Sequence, residues 1–300
     1  MIAADLLWIP FVVVAALTQV ARNAMQRELT VSLGTAGAAQ VRFVFGLPFA
    51  VIFLFIVLSA TRDPWPAIGP SFWPWLLLGT LTQVGATALM LTAMKSSSFV
   101  VTTAYIKTEP IQAAVFGFVF LSDSLTLWKF VAIIIATLGV VMTAVRPGGT
   151  KAFGDLKPTL IGLASGAAFA LSSVAYRGAI LSLFGVSFVT AATVTLVIGL
   201  AVQALILTVY LLVWNRATML AILRLWRPSL LAGFLGAVAS QFWFLAFATT
   251  TIANVRTLAL IEVLAAQALS IYRFKQRITG PEILGIVLIV FGVGLLVAVH

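Results

Sequence analysis

Residues 186–213, "VSFVTAATVTLVIGLAVQALILTVYLLV", run for 28 positions without a charged side chain. A helix of about 18–20 apolar residues is long enough to cross a bilayer, and such runs recur along the whole chain. Hydropathy and turn signals place them at 5–26, 33–59, 72–94, 97–121, 126–145, 158–181, 186–213, 228–249, 252–273 and 281–299. The expected fold class is all-α: a polytopic membrane protein of ten transmembrane helices. Composition agrees, with 62% hydrophobic and 9% charged residues, where soluble chains carry about 25% charged. The alternating pattern of an outer-membrane barrel is absent. "MIAADLLWIP" lacks the basic start of a signal peptide, so it reads as the opening of the first span.

Several chemistries fall away early. There is no cysteine, and the one histidine is His300, so thiolate metal sites and an internal histidine base are excluded. No metal and no cofactor are expected, and no nucleophile–base pair marks an enzyme. No G-x-x-x-x-G-K-[ST] loop is present, which leaves no nucleotide to drive a pump. The net charge of +10 does not imply nucleic acid, because the bases lie in short loops between spans. Arg22, Arg27, Lys95, Arg146, Lys151, Lys157, Arg216, Arg224, Arg227, Arg273, Lys275 and Arg277 fall on one face, against Arg62, Lys129 and Arg177 on the other. The positive-inside rule makes the first face cytoplasmic and sets both termini outside.

The chain also repeats itself. At an offset of 153 residues, 93–145 aligns with 246–298 without a gap: Glu109 falls on Glu262, Thr126 on Thr279, Gly139 on Gly292, and "SSS" (96–98) on "TTT" (249–251). "ALTQVA" (16–21) matches "ALSSVA" (170–175) at an offset of 154. This divides the chain into a first five-helix repeat (1–145), a loop (146–157) and a second repeat (158–300). Five spans per half is odd, so the second half enters from the opposite side. Inverted repeats of this kind build secondary transporters, with the substrate site near the midplane.

Five charges remain inside the apolar runs: Arg42, Lys107, Glu109, Arg256 and Glu262. Each costs about 2.5–3.5 kcal/mol at the bilayer centre for Arg, Lys or Asp on insertion scales, so such groups face a cavity or pair with one another. A midplane transport site and a structural ion pair are both open readings, and snorkelling competes for Arg42 and Arg256. Lys107 and Glu109 point about 200° apart on a helix, so they do not neutralise each other. Glu109 shares a face with Tyr105 and Gln112; Lys107 lies near the register of Arg256 carried across the repeat. Pro110 leaves the Ile106 carbonyl without a partner, which suits a hinge or a tolerated kink. Its counterpart is Val263, so the halves are not expected to bend alike. Gln19, Gln83, Gln241 and Trp243 are further polar candidates in spans one, three and eight, while Trp65, Trp73, Trp75, Trp214 and Trp226 read as an interfacial belt.

"QVRFVFGLPFA" (40–50), "ALMLTAMKSSSFVVTTAYIKTEPIQAAVFGFVFLSDSLT" (88–126) and "IIIATLGVVMTA" (133–144) resemble the ten-span EamA-type members of the drug/metabolite transporter superfamily. The chain departs from the pattern at Val263, at Gln276 opposite Asp123, and in a seventh span with no arginine matching Arg42. The resemblance implies a secondary active transporter in a bacterial-type inner (plasma) membrane, a monomer or weak oligomer, with a small-molecule substrate and possible proton coupling. Amino-acid export is the first expectation. Import of a vitamin-like metabolite, multidrug efflux, a channel and a lipid scramblase are the alternatives.

Overall fold

The computed structural model describes residues 6–96, 104–144, 156–274 and 279–299, and every regular element among them is a helix. The 146–157 loop for the most part, the serine run at 97–98, Thr103, Lys275, Gln276, Arg277 and His300 lie outside the described residues. Among the described residues, five helical stretches are long and apolar enough to cross a membrane: Ser32–Thr61, Thr159–Leu181, Phe188–Trp214, Trp226–Thr249 and Gly280–Ala298. Apolar side chains are not confined to the inside. Phe55 is 67% exposed and Ile56 60%, a surface that suits lipid and not water.

Helix α1 (Trp8–Val44) has 37 residues and would be about 55 Å long as one rod. It is interrupted at Gly34, where φ is 66° and ψ is −178°, a conformation essentially reserved for glycine. Arg22 and Arg42 would stand about 30 Å apart on a continuous helix. Yet both lie within 3.5 Å of the point where a Cβ on Gly236 would sit. The chain therefore doubles back at Gly34. The sequence reading ended the first span at 26. The helix instead continues through Arg27 and Glu28, because these residues are good helix formers and polarity alone breaks nothing. Helix α2 (Gly46–Thr61) follows after Phe45.

The chain divides into two compact units, and each takes segments from both halves of the sequence: Met1–Thr80 with Tyr176–Thr249, and Leu81–Ala175 with Thr250–His300. The division falls inside α3 (Phe72–Ser96) and α6 (Leu156–Leu181).

In the first unit, α1 and α2 lie against α9 (Trp226–Thr249). A Cβ on Gly233 would come 2.5 Å from Phe45 Cβ, so this crossing depends on a missing side chain. Leu29, Leu33, Ala38 and Val41 pack with Leu211 of α7 (Phe188–Trp214), Ile222 of α8 (Arg216–Arg224) and Ala232. The loop after α2 is tied to the start of α7. Asp63 Oδ2 accepts from Ser187 N–H (3.0 Å), Ser187 Oγ (2.5 Å) and Thr190 Oγ1 (2.6 Å). The Ser187 hydroxyl first, then Thr190, the Ser187 amide and Thr61, hold this carboxyl down at about 2.

The second unit is organised by α5 (Leu127–Ala144) and α12 (Gly280–Ala298). A Cβ on Gly139 would meet Gly285 O and Ile289 N, both at 2.7 Å; one on Gly292 would meet Ala136 N at 2.5 Å and Ala132 O at 2.8 Å. Shifting each residue by the repeat offset of 153 turns the first pair of contacts into the second with the partners exchanged: 139 becomes 292, 285 becomes 132, and 289 becomes 136. Two backbones this close leave no room for any side chain.

Candidate functional site

Two helices of the second unit are broken within their apolar runs, at nearly equivalent places. In the first copy a turn at Lys107–Thr108 precedes α4 (Glu109–Leu121). In the second, α10 (Ile252–Leu258) ends, Ala259 and Leu260 form a turn, and α11 (Ile261–Phe274) begins. Pro110 thus stands in the first turn of a helix, not in a helix interior. There its missing N–H is one of the groups left over anyway. The second break forms with Val263 in the corresponding place, so proline is not what breaks these helices. The expectation that the halves bend differently is corrected.

The breaks explain where the charges sit. Glu109 and Glu262 each occupy the first turn of a half-helix, and Arg256 the last turn of another. Acids at N-termini and bases at C-termini are favoured by the partial charges of unmatched backbone groups. Lys107 pairs with Glu262. Arg256 Nε lies 2.9 Å from Glu109 Oε1, while its N–H groups are directed at Ser173 Oγ, from Nε at 3.1 Å and Nη2 at 2.5 Å. At Glu109 Oε1 the contact is an ion pair and not a hydrogen bond. Both glutamates are buried. Each base thus meets a glutamate from the other half of the sequence, and with the halves aligned at the offset of 153 the two bases fall four positions apart.

Polar groups of α6 surround the first break. Tyr105 OH accepts from Thr159 Oγ1 at 2.9 Å, and Gln112 Nε2 donates to the Leu163 carbonyl at 3.2 Å. Tyr105 and Gln112 keep the shared face expected of them, but they turn it to α6, while Glu109 turns to Arg256. The Ile106 carbonyl lies against Gly166, where a Cβ would come within 2.9 Å. Gln83 is half-buried in α3 and accepts at its backbone carbonyl from Thr87 Oγ1 (2.9 Å).

The remaining candidates belong to the first unit. Gln241 Nε2 donates to Thr193 Oγ1 at 2.8 Å, and Trp243 Nε1 to Gln19 Oε1 at 3.0 Å. Arg42 Nη2 reaches Ser240 Oγ at 3.5 Å, and its guanidinium lies 5.3 Å from the centre of the Phe43 ring. Beside it stands a residue that the sequence reading had put in a loop. Arg22 is buried inside α1, 7% exposed. The signal for it was spacing: Trp8, Val12, Ala15, Arg22, Leu29 and Leu33 are buried at intervals of three, four and seven along one stripe. Among the described residues, no group of three or more His, Cys, Asp or Glu converges as it would to hold a metal ion.

Long apolar helices with lipid-suited surfaces make this an integral membrane protein. Residues 6–145 match the model of the EamA-like transporter family, which is part of the drug/metabolite transporter superfamily. Among curated proteins none matches the sequence. Chains of solved structures do: one crystal structure, described simply as that of a protein, superposes at TM-score 0.72 over 99% of this chain and 96% of its own, with 15% identity. Likeness at that identity speaks for the fold alone.

Proposed function

We propose that the chain is a ten-span secondary transporter of two inverted five-helix repeats (1–145 and 158–300). It moves a small organic metabolite, an amino acid or similar zwitterion, outward across an inner (plasma) membrane by alternating access. One observation carries this reading: paired acids and bases at the ends of half-helices, inside apolar runs. Discontinuous helices are how membrane carriers present charge to a solute. A structural role alone would be served better by apolar packing, since a buried ion pair recovers little of its desolvation cost. A zwitterion carries both charges that these pairs hold. Its ammonium can take a glutamate from its base, and its carboxylate can take the base. A glutamate released in this way can accept a proton, which couples the cycle to a proton gradient.

The exchanged contacts at Gly139 and Gly292 support the inverted repeat, because only a two-fold relation writes the same contact twice with its partners swapped. The charge bias supports a cytoplasmic face for the loops at 216–227 and 273–277, with both termini outside. A reporter active only in the cytoplasm, fused at residue 300, is expected to stay silent.

Transport is tested in proteoliposomes by counterflow of labelled amino acids with and without an imposed pH gradient. Saturable flux that an ionophore collapses and Glu109→Gln lowers is expected. Non-saturable flux would replace the carrier with a channel or scramblase. Flux indifferent to both glutamates would remove them from the transport site.

A further inference from the structure

Helix α8 (Arg216–Arg224) has only nine residues and is about 14 Å long. It joins α7 to α9, each of them long and apolar enough to cross a membrane. A short helix that links the ends of two such spans lies where the bilayer meets water. Its inner face is fixed on the first unit. Thr218 Cγ2 stands 2.7 Å from where a Cβ on Gly37 would be. Ile222 is fully buried, and Met219, Ala221 and Leu225 pack on the same cluster. Asn215 Oδ1 caps the helix by accepting from Thr218 N–H at 3.2 Å. The rotation of α8 about its axis is therefore set, and with it what stays outside.

The outer face mixes two chemistries. Arg216, Leu220 and Arg224 are all exposed, and at intervals of four they form one line along the helix. Leu220 is 56% exposed, and Leu223 beside it 53%. Exposed Trp214 and Trp226 close the two ends. Arg216 Nε donates to the Leu212 carbonyl at 2.8 Å, and the Arg227 guanidinium lies 5.4 Å from the centre of the Trp226 ring. From 212 to 231 the sequence holds three arginines and no acid. Water would leave the leucines and tryptophans bare, and hydrocarbon would strip the arginines of their hydration. The headgroup layer satisfies both: leucine enters the acyl edge, tryptophan sits at headgroup depth, and an arginine fork meets phosphate through two hydrogen bonds. With three positive charges and no acid in the stretch, a headgroup of net negative charge is favoured over a zwitterionic one.

We propose that the outer face of α8 is a seat for anionic phospholipid, with Arg216, Arg224 and Arg227 on the headgroup phosphates and Leu220 and Leu223 in the acyl edge beneath them. The seat needs only that the chain spans a bilayer, not that it carries a solute. The chain has no cysteine, so Leu223→Cys takes a single fluorescent label on this face, and Phe55→Cys one on the exposed side of α2 as a control. The labelled full chain is placed in nanodiscs of phosphatidylglycerol and phosphatidylcholine in equal amounts, with one lipid or the other brominated. Quenching then gives the local ratio of the two lipids. A preference for phosphatidylglycerol is expected at 223 and none at 55. Arg216→Gln, Arg224→Gln and Arg227→Gln should each cut the preference by up to about fivefold, and the three together should abolish it. Arg224→Lys should keep most of it.

If the triple variant does not fold, the salt dependence of the chain with its arginines intact takes its place. The preference should fall between about 0.1 and 1 M salt, as the screening length drops from about 10 to 3 Å. Equal quenching by the two lipids at 223 overturns the proposal. So does a preference that survives loss of all three arginines, or one that salt leaves unchanged. No quenching by either lipid would mean that water or a protein partner covers the face, and overturns it too. The two leaflets of a nanodisc are alike, so the outcome does not depend on which side of the chain is cytoplasmic.

Discussion

Lys107 and Glu109 stand two residues apart and do not pair: Lys107 meets Glu262, and Glu109 meets Arg256 at 2.9 Å. Each pair joins the two halves of the sequence. Lys107→Met takes from buried Glu262 the base it meets and should destabilise the protein by about 3–5 kcal/mol. Lys107→Met with Glu262→Gln removes both charges and should recover most of that loss. Thermal midpoints in nanodiscs measure both. A double variant no more stable than the single one would mean that the pair does not account for the effect.

Gly292 and Gly294 lie on the same helix and should respond oppositely to a methyl group. A Cβ on Gly292 would press into the Ala136 backbone at 2.5 Å, while one on Gly294 meets nothing within 4 Å. Gly292→Ala should lower the thermal midpoint markedly, in the range of about 1–3 kcal/mol typical of overpacking. Gly294→Ala should be neutral or slightly stabilising. Equal responses would contradict the close crossing of α5 and α12.

Asp63 predicts a pH dependence. Its folded carboxyl titrates at about 2, against about 3.9 for an unfolded aspartate. Between these values the native state binds fewer protons than the unfolded one, so stability falls as pH falls. The contribution is complete above about pH 5 and disappears as the pH passes down through about 2. The difference in thermal midpoint between the unaltered chain and Asp63→Asn should therefore shrink steadily over that window. A difference that stays constant down to pH 2 would show that Asp63 is not held by Ser187 and Thr190.

Pro110→Ala tests the hinge. With proline in the first turn of α4 and the matching break formed without one, the substitution should change stability by less than about 1 kcal/mol and leave the flux largely intact. A large drop in flux with normal stability would restore Pro110 as a hinge.

Much of the second unit was legible in the sequence. The equivalence of Glu109 and Glu262 needed only an offset, and the separation of Lys107 from Glu109 needed only the helical period. Arg22 was missed because it stands four residues before "QRELT" (26–30), which reads as a loop when polarity is taken for a boundary, and so it was counted with the loop's bases. The break in the chain is at Gly34, eight residues after Gln26 opens that stretch. The second helix break was missed for the opposite reason. It carries no proline or glycine, and its cause is tertiary: Glu262 and Arg256 sit at half-helix ends beside the partners they meet there.

The crossing of α5 and α12 sets an order in time. Gly139 cannot reach its partner until Gly285 has been made, 146 residues later, or roughly 7–30 s at ordinary rates of synthesis. Over that interval a helix already in the bilayer presents a bare strip of backbone to lipid and to whatever chain passes. Helix α12 closes it once made. A chain stopped before Gly280 would retain Lys107, Arg256 and both glutamates, yet could never complete the unit that holds them.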